Sequence, residues 1–155
     1  MHSWSHATRV VVSVHRARKD NALTNPIPNT TSTLAQWADE SFTYLTTIGR
    51  RSGTPHRIEI WFAVENGVMY LLSGGRDHAD WVRNLQANPD VLVELGSERF
   101  TGVAQVLQAD TPADRLAREL LVTKYRQGND LENWSRTSLP VAIEFPATED
   151  PSKHV

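Results

Sequence analysis

Residues 57–73, RIEIWFAVENGVMYLLS, constrain the fold more than any other part of this 155-residue chain. The first half alternates: Ile58, Ile60, Phe62 and Val64 share one face, and Arg57, Glu59, Trp61 and Ala63 share the other. A period of two is that of a half-buried strand. Asn66-Gly67 follows, a pair suited to a type I′ turn because both central residues need positive φ. Residues 68–73 are then the return strand. Two strands joined by so short a turn must be antiparallel.

The same pattern recurs along the chain. Residues 42–48, FTYLTTI, are rich in aromatic and β-branched side chains, which favour a strand. Residues 91–95 and 99–107 flank Gly96-Ser97, where glycine in first place suits a type II′ turn. In the second of these, Phe100, Gly102, Ala104 and Val106 share a face. Residues 141–145, VAIEF, read as a last strand. Two helices are expected between strands. One follows Asp77 as its N-cap and runs to Asn88, where Pro89 stops it. The other has Thr111 as N-cap, Pro112 in first position and Asp114 three residues past the cap. Its stripe of Ala113, Leu116, Ala117, Leu120 and Leu121 is expected to pack on the sheet. Six mostly hairpin-linked strands with two inserted helices predict a mostly β fold, its sheet closed into a barrel that hides its edges. That domain is expected over residues 31–148. Residues 1–30 lack clean periodicity and end in NPIPNTTST, so they read as a disordered extension, or as a basic amphipathic segment that touches a membrane or the ligand pocket. Residues 149–155 read as a tail.

Composition excludes several functions. Sixteen basic against eighteen acidic side chains give a net charge of −2, which argues against nucleic acid as a partner. The absence of cysteine removes disulfides, thiolate metal sites and cysteine nucleophiles. No apolar run approaches the ~18 residues of a membrane helix, and a cytoplasmic protein is expected. The six histidines form no metal motif, and no Ser-His-Asp order or HExxH pattern is present.

Against that acidic background, TIGRRSGTPHR, residues 47–57, gathers Arg50, Arg51, His56 and Arg57 around Gly49, Gly53 and Pro55. The glycines allow close backbone approach, and Ser52 and Thr54 add hydroxyl donors. Arginine forks match phosphate and carboxylate oxygens. The loop reads as a site for a polyanionic small molecule, the alternative being a solvated turn that keeps the chain soluble. A second loop, SGGRDHADW, leaves a strand and enters a helix. Gly74 and Gly75 admit a flat ring, the helix N-terminus carries partial positive charge, and Arg76 adds a cation. The pattern is not GxGxxG and no βαβ unit surrounds it, so it is no dinucleotide fingerprint. Trp81 reads as an anchor of the helix on the sheet. Asn84 reads equally as a surface residue or a ligand contact.

TTIGRRSGTPHRIEIWF, LLSGGRDHADWVRNLQANPDVLVEL and LPVAIEF together resemble the actinobacterial family of deazaflavin-dependent nitroreductases and F420H2-dependent quinone reductases, over roughly residues 42–145. The resemblance implies a split β-barrel of the flavin-reductase (FMN-binding) type. It implies an oxidoreductase that passes a hydride from reduced coenzyme F420 to a small organic acceptor, a quinone, enone or similar. The loop from Thr47 through Gly49, Arg50, Arg51, Ser52 and Gly53 would hold the cofactor's phosphate- and glutamate-containing tail, with His56 and Arg57 continuing that contact. Ile58, Glu59, Ile60 and Trp61 would run beside the deazaflavin ring. Ser73, Gly74, Gly75 and Arg76, with Trp81 and Asn84, would close the other side. Product protonation would come from Tyr125, Ser73 or solvent. Split barrels of this type often pair as homodimers. The alternatives are an FMN-dependent oxidoreductase on the same barrel, which needs fewer cations for its single phosphate, and a non-catalytic flavin- or deazaflavin-binding protein. The sequence departs from the nitroreductase branch at EIWF and at KYRQGNDLENW, so a different substrate pocket is expected.

Overall fold

The computed structural model describes residues 34–126 and 131–146; the extension expected over residues 1–30 and the tail over 149–155 lie outside the described residues. Seven strands form one antiparallel sheet: β1 (Thr43–Ile48), β2 (Pro55–Ile60), β3 (Ala63–Glu65), β4 (Val68–Ser73), β5 (Asp90–Leu95), β6 (Glu98–Val106) and β7 (Leu139–Glu144). Their spatial order is β2-β1-β5-β6-β7-β4-β3. The two edge strands, β2 and β3, are therefore separated in sequence only by Trp61 and Phe62. A flat sheet of seven strands would set its edges about 29 Å apart, whereas the link reaches about 10 Å. The sheet must curl until its edges meet. The outcome is a split barrel, with no ladder joining β2 to β3 among the described residues.

The alternation at residues 57–64 predicted one strand; the structure breaks it after Ile60. The cause is local. The Phe62 amide donates to the Tyr125 hydroxyl at 3.1 Å, and the Phe62 carbonyl accepts from Lys124 Nζ and Tyr125 Oη, each at 3.0 Å. Both backbone groups are thereby taken out of a strand ladder. The facing survives the break, since Phe62 is fully buried in the barrel interior and Ile58, Ile60 and Val64 pack around that cluster. Both expected turns form. Asn66 and Gly67 have φ of 53° and 79°, and the Gly96 turn has positive φ only at the glycine, at 61°.

Strand β4 is buried along its whole length because it lies between two cores. Met69 and Leu71 join Leu45, Val93, Val141 and Ile143 in the interior. Val68, Tyr70 and Leu72 join Ala63 and Ala142 beneath a helix on the outside. That helix is α2 (Pro112–Tyr125), and its stripe of Ala117 and Leu121, flanked by Ala113, Leu116 and Leu120, meets the sheet as expected. Thr111 Oγ1 accepts from the Asp114 amide at 3.2 Å, so the predicted cap is real. The Asp114 carboxylate accepts from the Asp110 amide at 2.8 Å and from Arg118 Nε at 2.7 Å. Arg118 also donates to the Ser135 carbonyl and so ties α2 to α3 (Glu132–Thr137), a six-residue helix the sequence did not suggest.

Helix α1 (Asp80–Ala87) departs from expectation at its start. Its N-cap is Ala79, without a side-chain hydrogen bond, and not Asp77. Residues Arg76–His78 form a separate 3-10 turn entered with Arg76 at φ 53°, which uses up the capping position of Asp77. Among the described residues no helix is long and apolar enough to cross a membrane, and no three His, Cys, Asp or Glu side chains gather as metal ligands.

Two predictions concern stability. A methyl group on Gly96 would overlap the Trp37 ring and would hold φ at +61°. Gly96→Ala should therefore cost about 2 kcal/mol in urea unfolding. Burial pushes the Glu144 carboxyl up to about 7 from 4.5. The folded state then holds a proton that the unfolded state releases, and this stabilising term is full below 4.5 and is lost as pH rises towards 7. Glu144→Gln should gain melting temperature relative to wild type progressively across that window, and a constant difference would disprove the assignment.

Candidate active site

Two cavities adjoin on one side of the barrel and share Ile58 and Trp81. The first, of about 470 Å³, is built by the β1–β2 connection against α1. The turn is closed by Gly49 N–H to the Thr54 carbonyl at 2.8 Å and Gly53 N–H to the Gly49 carbonyl at 2.9 Å. A Cβ at Gly49 would meet the Ser52 hydroxyl and the His56 ring in their present positions, so a side chain there would displace these two groups. The Ser52 hydroxyl lies 2.8 Å from Thr54 Oγ1 and 3.3 Å from His56 Nε2. These polar groups shape the turn before any ligand arrives.

Asn84 fixes the turn in place. Its side chain is buried; Oδ1 accepts from the Arg50 amide at 3.1 Å and from Arg50 Nη1 at 2.9 Å, and Nδ2 donates to Thr47 Oγ1 at 3.2 Å. Asp80, in the first turn of α1, pairs with Arg50 Nη2 at 3.3 Å. Asn84 is thus neither a surface residue nor only a candidate ligand contact; it is the anchor that orients a cation. Arg51 is exposed and makes no ion pair among the described residues. Arg57 also lines this cavity, but its Nε donates to Glu94 Oε1 at 2.8 Å and its guanidinium lies 3.9 Å from the Tyr44 ring centroid.

The second cavity is larger, about 730 Å³, and aromatic. Phe42, Trp61, Trp81 and Trp134 form walls, with Ile58, Ile60 and Leu72 between them and Ser73, Gly74 and Gly75 along one side. Glu59 adds a carboxylate at the margin. Trp61 stacks on Tyr125 with centroids 4.3 Å apart and planes 2° from parallel, and meets Trp134 edge-on at 5.5 Å.

Three of the expected site residues stand outside both cavities: Gly53, Arg76 and Tyr125. Arg76 sends its guanidinium to the Thr137 carbonyl at 2.7 Å, bridging the 3-10 turn to α3. The Tyr125 hydroxyl lies on backbone, 2.9 Å from the Ser41 carbonyl and 3.0 Å from that of Phe62, and burial raises its pKa. Ser73 Oγ does border the cavity but donates to the Arg76 carbonyl at 2.9 Å. Sequence reading missed Phe42, Leu131 and Trp134 as walls and Asp80 as a rim charge. Only Trp134 had left a signal, as one of the few aromatic side chains after the long helix.

The donor set suits one elongated ligand: fixed guanidinium and amide groups at one end, flat apolar walls at the other. Residues 16–146 match the F420H(2)-dependent quinone reductase family, and the chain belongs to that family. The F420H(2)-dependent quinone reductase Rv1261c of Mycobacterium tuberculosis (strain ATCC 25618 / H37Rv) is 32% identical over 104 residues, which is 64% of this chain and 68% of that protein. Among solved structures, an F420-H2 dependent reductase (FDR-A) superposes with a TM-score of 0.56 at 23% identity, over 67% of this chain and 93% of that one. The heme storage protein HutZ from Vibrio cholerae gives 0.60 at 15% identity, over 74% and 88%. These two likenesses establish the split-barrel fold. The protein is accordingly an F420H2-dependent oxidoreductase, with coenzyme F420 as hydride donor to small quinone-like acceptors.

The anchor role of Asn84 can be checked directly. Asn84→Ala strips Arg50 of two hydrogen bonds and should cost about 1–3 kcal/mol in denaturant unfolding. F420 affinity should fall about tenfold by fluorescence titration. Stability lost without any loss of affinity would mean that the orientation of Arg50 does not matter for binding.

Proposed function

We propose that the basic cavity holds the anionic tail of coenzyme F420 and that the aromatic cavity holds its ring with the acceptor alongside. The observation that carries this reading is the shared boundary: Ile58 and Trp81 belong to both cavities, so a single molecule can run from one into the other. When bound, the cofactor supplies the hydride; the chain supplies binding, orientation and a largely apolar surrounding.

The residues divide these tasks. Arg50, held by Asn84 and Asp80, offers a pre-oriented fork to a phosphate or carboxylate. Arg51 and His56 add exposed donors beside it, and Arg57 contributes its remaining N–H groups. Gly74 and Gly75 keep one side of the ring site free of side chains. Phe42, Trp61 and Trp134 offer faces and edges to a planar acceptor. Glu59 places negative charge at the margin, which favours a neutral acceptor over an anionic one. The proton that completes reduction comes from water entering the open cavity, because the Ser73 and Tyr125 hydroxyls are both engaged with backbone carbonyls.

The test is a fluorescence titration with F420 of wild type and of the Arg50→Ala/Arg51→Ala variant, at low and high salt. The variant should bind at least about tenfold more weakly at low salt, and the gap should narrow as salt screens the lost charges. Equal affinity of the two proteins at low salt would remove the tail from the basic cavity.

A further inference from the structure

The break between β2 and β3 has a second effect. Trp61 stays on the outer face with Glu59, but the peptide that follows it no longer belongs to a ladder and is gripped from one place, the last turn of α2. Lys124 Nζ and Tyr125 Oη converge on the Phe62 carbonyl at 3.0 Å each, and Tyr125 Oη also receives the Phe62 amide at 3.1 Å. The Tyr125 ring then lies flat on the Trp61 indole. One tyrosine therefore fixes both the backbone after Trp61 and the face of its side chain. Lys124 adds a second contact to the same residue, with Nζ 3.6 Å from the Phe62 ring centroid. Trp61 itself lines the aromatic cavity.

We propose that Lys124 and Tyr125 are positioning residues for the reductase: by gripping the Phe62 peptide they aim Trp61 into the cavity and so set how the acceptor is held. Neither residue lines the cavity, so both act through Trp61. The inference rests on the reading that the acceptor occupies that cavity. A half-buried lysine is an expensive choice for a purely structural prop, since burial lowers its pKa to about 8 against the opposing pull of Asp39 and Glu40. A leucine would fill the same space but could not hold a carbonyl.

The experiment uses the full chain and four variants: Tyr125→Phe, Lys124→Met, Trp61→Ala, and Lys124→Met combined with Trp61→Ala. Tyr125→Phe keeps the stacked ring, and Lys124→Met keeps the aliphatic stem, so at least one should fold. Three quantities are read: the near-ultraviolet circular dichroism of the stacked aromatic pair, the F420 dissociation constant, and kcat and KM for a soluble naphthoquinone. The expected result is an altered aromatic band and a KM for the quinone raised roughly fivefold, as coupling between contacting residues allows. F420 affinity should stay unchanged in Tyr125→Phe and Lys124→Met, whose altered side chains do not line the cavity. In the Trp61→Ala background, Lys124→Met should add nothing to KM. An unaltered band, or an effect on KM that persists without Trp61, would overturn the inference. An altered band with unchanged KM in every variant, Trp61→Ala included, would keep the grip on Trp61 but remove the acceptor from the cavity.

Discussion

Two residues of chain, Trp61 and Phe62, join the first and last strands of the spatial order. Everything else accommodates that short link. It forces the sheet to curl, it leaves a seam where the ladder is interrupted, and it places the aromatic cavity beside that seam. The cavity takes Ile58, Glu59 and Ile60 from β2 on one side and Leu72 and Ser73 from β4 on the other. A fully zipped barrel would have closed this opening with backbone hydrogen bonds. At the seam the Phe62 amide and carbonyl find their partners on α2, so the split does not leave them unpaired.

The basic cavity solves a different problem. A net-negative chain must concentrate positive charge in one spot without letting it wander. Long arginine side chains lose considerable rotamer entropy when a ligand immobilises them. Asn84 spends its buried amide on that task in advance, and because it is neutral it adds no competing charge at the floor of the pocket. Family membership gives the cofactor; the geometry gives a reason for asparagine at 84.

Much of this was legible in the sequence. Period-two alternation and the Asn66-Gly67 and Gly96-Ser97 turns are local signals, and the structure keeps them. The apolar stripe of α2 is equally local. The basic loop stood out because its charge ran against the composition. What stayed hidden depends on distant partners. Nothing within residues 57–64 announces that Tyr125 will capture the Phe62 amide and split the strand. Asp77 looked like a cap because the positive φ of Arg76, and the 3-10 turn it starts, carry no sequence mark when the residue is not glycine. Asn84 could be read two ways until its partner Thr47 was known to face inward. The bond from Arg76 to the Thr137 carbonyl could not be foreseen, because α3 is too short for helical periodicity to reveal.

The pairing of Arg50 with Asp80 bears on which anions the loop will accept. A tethered carboxylate is present at an effective concentration that short tethers set on the order of millimolar. A small free anion gains little by replacing it, because it offers one partner in exchange for another. A ligand carrying several negative groups on one backbone can displace the carboxylate with one group while its others engage Arg51 and His56. In the proposed binding mode the rim aspartate, 83% exposed and 3.3 Å from the guanidinium, is an easily displaced partner that keeps Arg50 in register until an anion with several charges takes its place.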